Sequence, residues 1–517
     1  MTDELKHECA VALVVLRKDG EHYRAKYGSS DYGGTKLSLL LEKQHNRGQD
    51  GAGAAILASH PVPGAAPYQL FKSASATPLA DVLGMIGKRT VSPREKIFLG
   101  HLRYATFGKN DVAYCHPFVH EASELEHTLL LAGNFNLTNA PELFENYARH
   151  GSFPTSRADG YLICELIAKG LHKPLASALA DALADADGAW TLIGATGDGT
   201  AFATRDPHGI RPGFYYVDEE VVVVASERPA IQAAFDVPPE AVKELPRGAA
   251  LIVTPEGDVE FCQCENVATT NSHCPLGTGN TTPTPCSFER IYFSRANDAA
   301  IHRERKALGA ALVPQILAAA DAPIEDIFFS YIPNSARIAF HGLLEKLFEF
   351  SSKSGEVGEN SSSSRKDVKF HSPTPTQNSS SLSNSNLQLQ LKIPRFGEVI
   401  VKDAKFRTFI ADAAARREFY KHVYDVTYGL VHPGRDTLVV FDDSIVRGNT
   451  MKNAILPMLD RLGPKRIVIA SSAPPIRYPD CYGIDMSTLG ELVAFRALVN
   501  LLDGERGTGV ARSTCRV

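Results

Sequence analysis

The run Thr437–Thr450, TLVVFDDSIVRGNT, constrains this chain more than any other stretch. Nearly every residue from Thr437 to Phe441 is β-branched or aromatic, the pattern of a strand hidden on both faces in the middle of a parallel sheet. The apolar character stops at Asp442 and Asp443. In an open α/β sheet the ligand crevice lies at the carboxyl ends of the strands, so both carboxylates fall where chemistry is expected. Ser444 to Thr450 then offers hydroxyls, Gly448 and successive backbone N–H groups, ahead of an amphipathic helix predicted from about Met451 to Leu462. A loop that opens a helix in this way can cradle a phosphate, because unpaired N–H groups and the positive end of the helix dipole converge on it. Adjacent carboxylates beside it suit ribose hydroxyls and Mg²⁺. A solvated strand end with a helix N-cap is the plainer reading of an isolated Asp-Asp pair.

The whole run resembles the phosphoribosyl-pyrophosphate signature of type I phosphoribosyltransferases. The resemblance implies that Asp442, Asp443, Ser444, Arg447, Gly448, Asn449 and Thr450 hold phosphoribosyl pyrophosphate. Upstream, IEDIFFSYIPNSARIAFHGLLEKL repeats the logic: a strand ends at Pro333, a turn supplies Asn334 and Ser335, and a helix follows, preceded by a helix over His302–Ala320. That turn resembles the family's pyrophosphate loop, which makes Ser335, with Asp442 and Asp443, an implied Mg²⁺ contact; a helix N-cap is the simpler role for it. KDAKFRTFI, Lys402–Ile410, resembles the loop that closes over the pyrophosphate, with Lys402 and Arg407 implied to neutralise the leaving group. Between these segments Ser351–Gln390 is dominated by serine, asparagine and proline, the composition of a disordered insertion.

At the other end, ECAVALVVLRK is a short apolar strand with Cys9 at its start. Tyr32–Gln44 reads as a helix, QHNRGQDGAGAAIL turns through three glycines into a strand, and further short strands and glycine turns continue to RGAALIVTPEG. Alternating strands with a few helices make an α/β layered domain. These pieces resemble an N-terminal-nucleophile (class II) glutamine amidotransferase domain, with αββα layers. The resemblance carries over Cys9 as the nucleophile, Arg103 and Tyr104 as glutamine-binding residues, Asn134 and the Phe135 N–H as an oxyanion hole, and Asp159 as the partner of the substrate ammonium. In such a domain the base is the α-amino group of the cysteine itself, which titrates near ~7.7–8.0 and so works at neutral pH; that requires removal of residues 1–8. Alone, Cys9 would read as a small buried hydrophobe, Asp159 as a helix N-cap before Tyr161, and His101 as a packed structural histidine. Two departures stand out: Cys9-Ala10 replaces the family's Cys-Gly, and Gly133-Asn134-Phe135-Asn136 replaces His-Asn-Gly-Asn. If that turn needs positive φ, phenylalanine there is strained, which predicts weakened glutaminase activity.

RDPHGIRPGFYY and ASERPAI narrow the resemblance to the amidophosphoribosyltransferase family. The expected organisation is a leader at 1–8, a glutaminase domain at 9–265, a linker at 266–285, a phosphoribosyltransferase domain at 286–502 interrupted by the 351–390 insertion, and a short tail at 503–517. CSFERIYFSRAND, Cys286–Asp298, sits at the transition and by itself reads as an edge strand with a linker. The implied reaction is glutamine-dependent amination of phosphoribosyl pyrophosphate, the first step of purine nucleotide synthesis, with Mg²⁺, a homotetramer and purine-nucleotide inhibition. A non-catalytic ligand-binding regulator and another glutamine amidotransferase are the alternatives. Net charge of −5 argues against a nucleic-acid partner, and no apolar stretch reaches membrane-spanning length. Nine scattered cysteines fit a reducing compartment and a cytoplasmic location. Cys286, Cys481 and the solitary Cys515 lack the closely spaced C-terminal pair of an iron–sulfur site, so no cluster is expected.

Overall fold

A computed structural model describes residues 8–59, 66–105, 111–263, 284–354, 393–402, 424–480, 482, 486 and 488–505. It divides into two compact units, one comprising residues 1–302, 446–448 and 475–517, the other 303–445 and 449–474.

Among the described residues the first unit holds thirteen strands: β1 (Ala10–Leu16), β2 (Gly51–Ala58), β3 (Tyr68–Ser73), β4 (Glu95–Arg103), β5 (Phe118–His120), β6 (Leu129–Leu137), β7 (Gly188–Thr196), β8 (Ala201–Arg205), β9 (Phe214–Val217), β10 (Val221–Ala225), β11 (Lys243–Glu244), β12 (Ala249–Val253) and β13 (Val259–Gln263). They form two sheets, ordered β11-β9-β10-β1-β4-β2-β3 and β13-β12-β8-β7-β6-β5. All their pairings are antiparallel. The unit's principal helices are α1 (Gly20–Tyr27), α2 (Tyr32–Lys43), α3 (Pro78–Lys88), α4 (Ala140–Arg149), α5 (Asp159–Gly170), α6 (Leu175–Leu183) and α7 (Arg228–Phe235).

Side-chain alternation sorts these elements into layers. Along β1, Ala10, Ala12, Val14 and Leu16 pack with α2, α3 and α7, whereas Val11, Leu13 and Val15 join Ile97 and Leu99 of β4 and Leu130 and Ala132 of β6 between the sheets. The opposite face of the second sheet, including Leu129 and Leu131, packs on α4, α5 and α6. The order is therefore helix, sheet, sheet, helix, the αββα arrangement that the resemblance implied. Strands with a period of two can serve two cores because successive side chains point to opposite faces.

The second unit is built on a parallel sheet in the order β15-β14-β18-β19, from β14 (Ile327–Tyr331), β15 (Arg395–Phe396), β18 (Thr437–Asp442) and β19 (Arg466–Ser471). A separate antiparallel pair joins β16 (Ile400–Lys402) to β17 (Tyr424–Val426). β18 lies between β14 and β19, parallel to both, and Thr437 to Phe441 are buried, as their composition required. On either side of this sheet lie one core containing Phe329, Leu343 and Phe441 and another containing Leu438, Val440 and Ile455.

Several expectations change. The helix over His302–Ala320 is two helices, α8 (Ala299–Ala311) and α9 (Val313–Ala320), with Pro314 in the first turn of the second, where its missing N–H does least harm. The helix after Thr450 begins with a wide π turn, Met451–Ile455, and continues as Leu456–Asp460. Pro457 accounts for this, since a proline ring inside a regular helix collides with the carbonyl four residues back. α10 (Arg337–Ser354) carries its helix through Ser351, the expected start of the insertion; residues 355–390 of that insertion lie outside the described residues. Cys286–Asp298 is no edge strand: Glu289–Phe293 is a helical π turn.

Candidate functional site

The first cluster follows from strand alternation. Cys9 precedes β1 by one residue and shares the parity of Val11 and Val15; His101 and Arg103 share that of Ile97 and Leu99; Asn134 shares that of Leu130 and Ala132. All four belong to the layer between the two sheets. The Tyr104 N–H donates to Cys9 Sγ at 3.3 Å and the Cys9 thiol faces the Tyr104 carbonyl at 3.8 Å. Asp50 accepts from the Ala105 N–H at 3.0 Å and donates its own N–H to the Arg103 carbonyl at 3.0 Å, fixing the turn that carries Tyr104. Burial pushes the Cys9 thiol up to about 11, against the pull of the Tyr104 backbone and Arg103. Asn134 is 2% exposed and its Nδ2 has no hydrogen-bond partner. A buried amide donor left unsatisfied is costly in a folded protein, so it marks a place for a ligand oxygen.

Phe135 lies within β6 opposite Trp190, and Asp236 and Asp321 are the non-glycine residues with positive φ among the described residues. The turn therefore does not demand a left-handed backbone, and the expected strain at Phe135 is absent. Asp159 opens α5 as its first helical residue, with Ala158 as the cap, and accepts from the Gly160 N–H at 2.9 Å. It is not the cap itself. Desolvation raises its carboxyl to about 6, with the Gly160 amide and Arg103 working in the other direction. His101 is fully buried and titrates near 3 because burial disfavours its charged form, in keeping with a structural role.

Three residues without an expected role hold Cys9 in place. Arg47 donates through Nε to the Cys9 carbonyl at 3.2 Å, through Nη1 to Glu227 at 2.8 Å and through Nη2 to Glu8 at 3.2 Å, and it pairs closely with Glu289. Arg211 pairs with the other Glu8 oxygen. All five side chains are buried. Burial raises Glu8 to about 8, only partly offset by Arg211, while at Glu289 burial is the largest influence but Arg47, Glu8 and Arg211 together overcome it and bring the carboxyl to about 2. Three carboxyls around two guanidinium groups favour retention of one proton, and Glu8 holds it. Arg47, Arg211 and Glu289 stand in HNRG, HGIRPG and FERIYF. Their signal was a charged residue inside an otherwise tightly patterned motif.

The second cluster sits at the carboxyl end of β18. The Asp443 N–H donates to Asp442 Oδ1 at 2.9 Å, and the Asp443 carbonyl receives the Ala473 N–H at 2.8 Å and the Ser472 hydroxyl at 3.0 Å. Burial and then the neighbouring Asp443 charge lift Asp442 well above the carboxylate range. Asp443 is raised by burial too, opposed by hydrogen bonds from the Ser335 and Ser444 hydroxyls and by Arg305. Ser335 thus meets Asp443 although more than a hundred residues separate them. Two crowded carboxyls with hydroxyls around them form a hard oxygen donor set, which fits Mg²⁺ with substrate oxygens completing its shell.

The turn after them divides its tasks. Gly448 has φ 76°, a conformation that glycine adopts without penalty. Arg447 is buried and donates through Nε to Glu491 at 2.8 Å. Asn449 and Thr450 lead into the Met451 turn. Lys402 ends β16 with its ammonium 5.5 Å from the Tyr424 ring centre. Arg407, Cys481 and Cys515 lie outside the described residues.

Comparison with known proteins agrees with both halves. Residues 115–233 match the glutamine amidotransferase domain model. The chain is 28% identical to the amidophosphoribosyltransferase of Bacillus subtilis (strain 168) over 77% of its length and 69% of that protein's. It is 25% identical to amidophosphoribosyltransferase 2, chloroplastic, of Arabidopsis thaliana, over 94% of this chain and 75% of the relative. Among solved structures, the glutamine phosphoribosylpyrophosphate amidotransferase from B. subtilis complexed with ADP and GMP superposes with a TM-score of 0.67 at 24% identity, covering 96% of this chain and 89% of that one. The chain is thus similar to amidophosphoribosyltransferases along most of its length. It pairs a glutamine amidotransferase unit with a parallel-sheet unit, with Cys9 in the first and Asp442 and Asp443 in the second.

Proposed function

We propose that this chain transfers ammonia from glutamine to C1 of phosphoribosyl pyrophosphate, giving 5-phosphoribosylamine, glutamate and pyrophosphate, as the opening step of purine nucleotide synthesis. What carries the reading is the presence, in one chain similar to amidophosphoribosyltransferases, of Cys9 gathered with Arg103 and Asn134 between two sheets, and of Asp442-Asp443 at a parallel strand end. A different glutamine amidotransferase would need another fold in place of that parallel sheet.

In the first half-reaction the Cys9 thiolate attacks the side-chain amide carbonyl of glutamine. Asn134 Nδ2 and the Phe135 N–H receive the developing oxyanion, ammonia departs, and water hydrolyses the thioester. Arg103 and Tyr104 orient the substrate, with Arg103 matching its carboxylate, and Asp159 receives its ammonium. The base is the α-amino group of Cys9 once the Glu8–Cys9 peptide bond is open; while it is closed the thiol stays protonated at neutral pH. In the second half-reaction Asp442 and Asp443 hold the ribose hydroxyls, and Ser444, Gly448, Asn449 and Thr450 receive the phosphate. Asp442, Asp443 and Ser335 would hold Mg²⁺, which supplies positive charge to the diphosphate. Lys402, with Arg407, adds to that charge. The chain works in the cytoplasm as a homo-oligomer, a tetramer by family resemblance.

The test measures glutamate release and pyrophosphate release from the same samples, with and without Mg²⁺ and phosphoribosyl pyrophosphate. Cys9→Ala is expected to lower glutamine-dependent product formation by about a thousandfold or more, leaving ammonia-dependent pyrophosphate release within about twofold of the parent. Loss of both activities, or neither, in a folded variant would sink the two-site reading.

A further inference from the structure

The segment Cys115-His116 lies in a seat made by glycines. A Cβ at Gly53 would lie 1.8 Å from the His116 carbonyl oxygen, and one at Gly51 would lie 2.7 Å from Cys115 Sγ. Side chains on β2 at these two positions would expel the segment from the sheet. His116 stacks on His101 with ring centres 4.1 Å apart and planes inclined by 15°, and its other neighbours include Phe118 and Phe135.

The two imidazoles close on the backbone of one residue, Gly133. The Gly133 N–H donates to His116 Nδ1 at 3.1 Å, and His101 Nε2 donates to the Gly133 carbonyl at 3.0 Å. These partners set the tautomers: Nδ1 of His116 must be unprotonated, and His101 carries its proton on Nε2, leaving a buried Nδ1 with no partner. Desolvation lowers both rings well below the usual histidine range, so both stay neutral at physiological pH.

Gly133 directly precedes Asn134, whose Nδ2 is the unsatisfied buried donor. In a strand, alternate residues aim their amides toward the same edge. Gly133 aims its N–H and C=O at the histidines, so the Phe135 N–H faces that same edge, beyond the last β5 pairing at Leu131. A Cβ at Gly133 would lie 2.5 Å from Leu192 Cδ2 and 2.6 Å from Phe135 Cδ1, so these two side chains occupy the room that a side chain at 133 would need. The two departures from His-Asn-Gly-Asn therefore go together: the Phe135 ring helps to crowd position 133, where glycine fits, and a histidine from another segment braces that glycine.

We propose that His116 is a positioning residue for glutamine hydrolysis, holding the Gly133 peptide so that the Asn134 and Phe135 donors meet the oxyanion. This rests on reading the Cys9 cluster as the glutamine site. His116 touches neither substrate nor Cys9; it acts through β6.

The experiment compares the parent chain, His116→Ala and His116→Asn. The readouts are steady-state glutamine hydrolysis, inhibition by glutamate γ-semialdehyde, which forms a tetrahedral hemithioacetal on a cysteine thiolate, and ammonia-dependent pyrophosphate release. Asn is the informative replacement because its Oδ1 stands where Nδ1 stood and can accept the Gly133 N–H. His116→Ala is expected to lower kcat about tenfold or more and weaken the aldehyde by a similar factor, with the glutamine KM and the ammonia-dependent rate within about twofold of the parent. His116→Asn should recover kcat to within about threefold of the parent. The proposal is overturned if His116→Ala keeps its kcat, if KM alone changes, or if a His116→Asn chain with intact ammonia-dependent activity is as slow as the alanine variant. If His116→Ala does not fold, the Asn variant decides alone. A parent chain that shows ammonia-dependent activity but hydrolyses no glutamine would instead refute the underlying reading of the Cys9 cluster.

Discussion

Within the paired-sheet unit, strand alternation turns Cys9 before β1, Arg103 of β4 and Asn134 of β6 into a common layer, and Asp159 is added from the start of α5. Within the parallel-sheet unit, Asp442, Asp443 and Ser444 are consecutive at one strand end, with Ser335 as the distant addition. The electrostatics differ as well. While Glu8 is attached, Arg47 and Arg211 are paired with buried carboxyls beside Cys9, whereas Asp442 and Asp443 crowd each other, with Arg305 opposing the rise at Asp443. The difference teaches that one site is completed by topology, and the other by what it binds.

The sharpest way to break that comparison is Asp443→Asn. It removes one of two repelling carboxyls, so ammonia-dependent pyrophosphate release is expected to fall by about a hundredfold or more. Glutamine hydrolysis measured without the sugar should stay within about twofold of the parent. Stability should move the other way. Because the folded pKa of Asp443 lies above its unfolded value, the folded chain prefers the protonated form and loses stability as pH rises through that window. The neutral amide escapes this loss, so its melting temperature at pH 7.5 should equal or exceed the parent's. A drop in both would mean that the pair is structural.

A second test concerns Asp159, whose carboxyl titrates near 6. Below that pH it is protonated and cannot receive an ammonium group. The glutamine KM is therefore expected to rise about tenfold between pH 7.5 and pH 5, while the KM for ammonia corrected for its free-base fraction stays level. In Asp159→Asn the KM should be high and flat across the range. A parent profile without that rise would remove Asp159 from substrate binding.

Much of this was legible in the chain itself, for a physical reason. A motif that is contiguous, such as TLVVFDDSIVRGNT, contains its strand, its acids and its turn in order, so the buried parallel strand could be read from composition alone. The Cys9 cluster could be proposed only residue by residue through resemblance. Arg47, Arg211 and Glu289 escaped because a buried ion pair leaves no periodic trace: each partner looks like a solvated charge until the fold brings them together. Arg447 carries a contact that the motif does not announce, an Nε hydrogen bond to Glu491. The π turn at Met451 has its sequence signal in Pro457, which an amphipathic pattern alone does not register.

The smallest effect expected belongs to the framework of the parallel-sheet unit. A Cβ at Gly309 would lie 1.7 Å from the Ala339 carbonyl, and one at Gly342 would lie 2.0 Å from the Lys306 carbonyl, so α8 and α10 cross backbone to backbone. Gly309→Ala should destabilise by about 1–3 kcal/mol, read as a lowered midpoint in denaturant. Glutamine hydrolysis should be unchanged, because no residue of the Cys9 cluster lies in that unit.

β1 is paired on both flanks, with Ala12 opposite Ala225 on one side and Gly100 on the other. Cys9 takes its direction from that registration. Loss or gain of one residue between Cys9 and Leu16 would keep a hydrophobic segment able to enter the sheet, yet would turn the thiol toward the helical layer. This strand should therefore tolerate exchanges of one aliphatic residue for another while rejecting any change in its length. Its lineage would record variation in spelling and none in spacing.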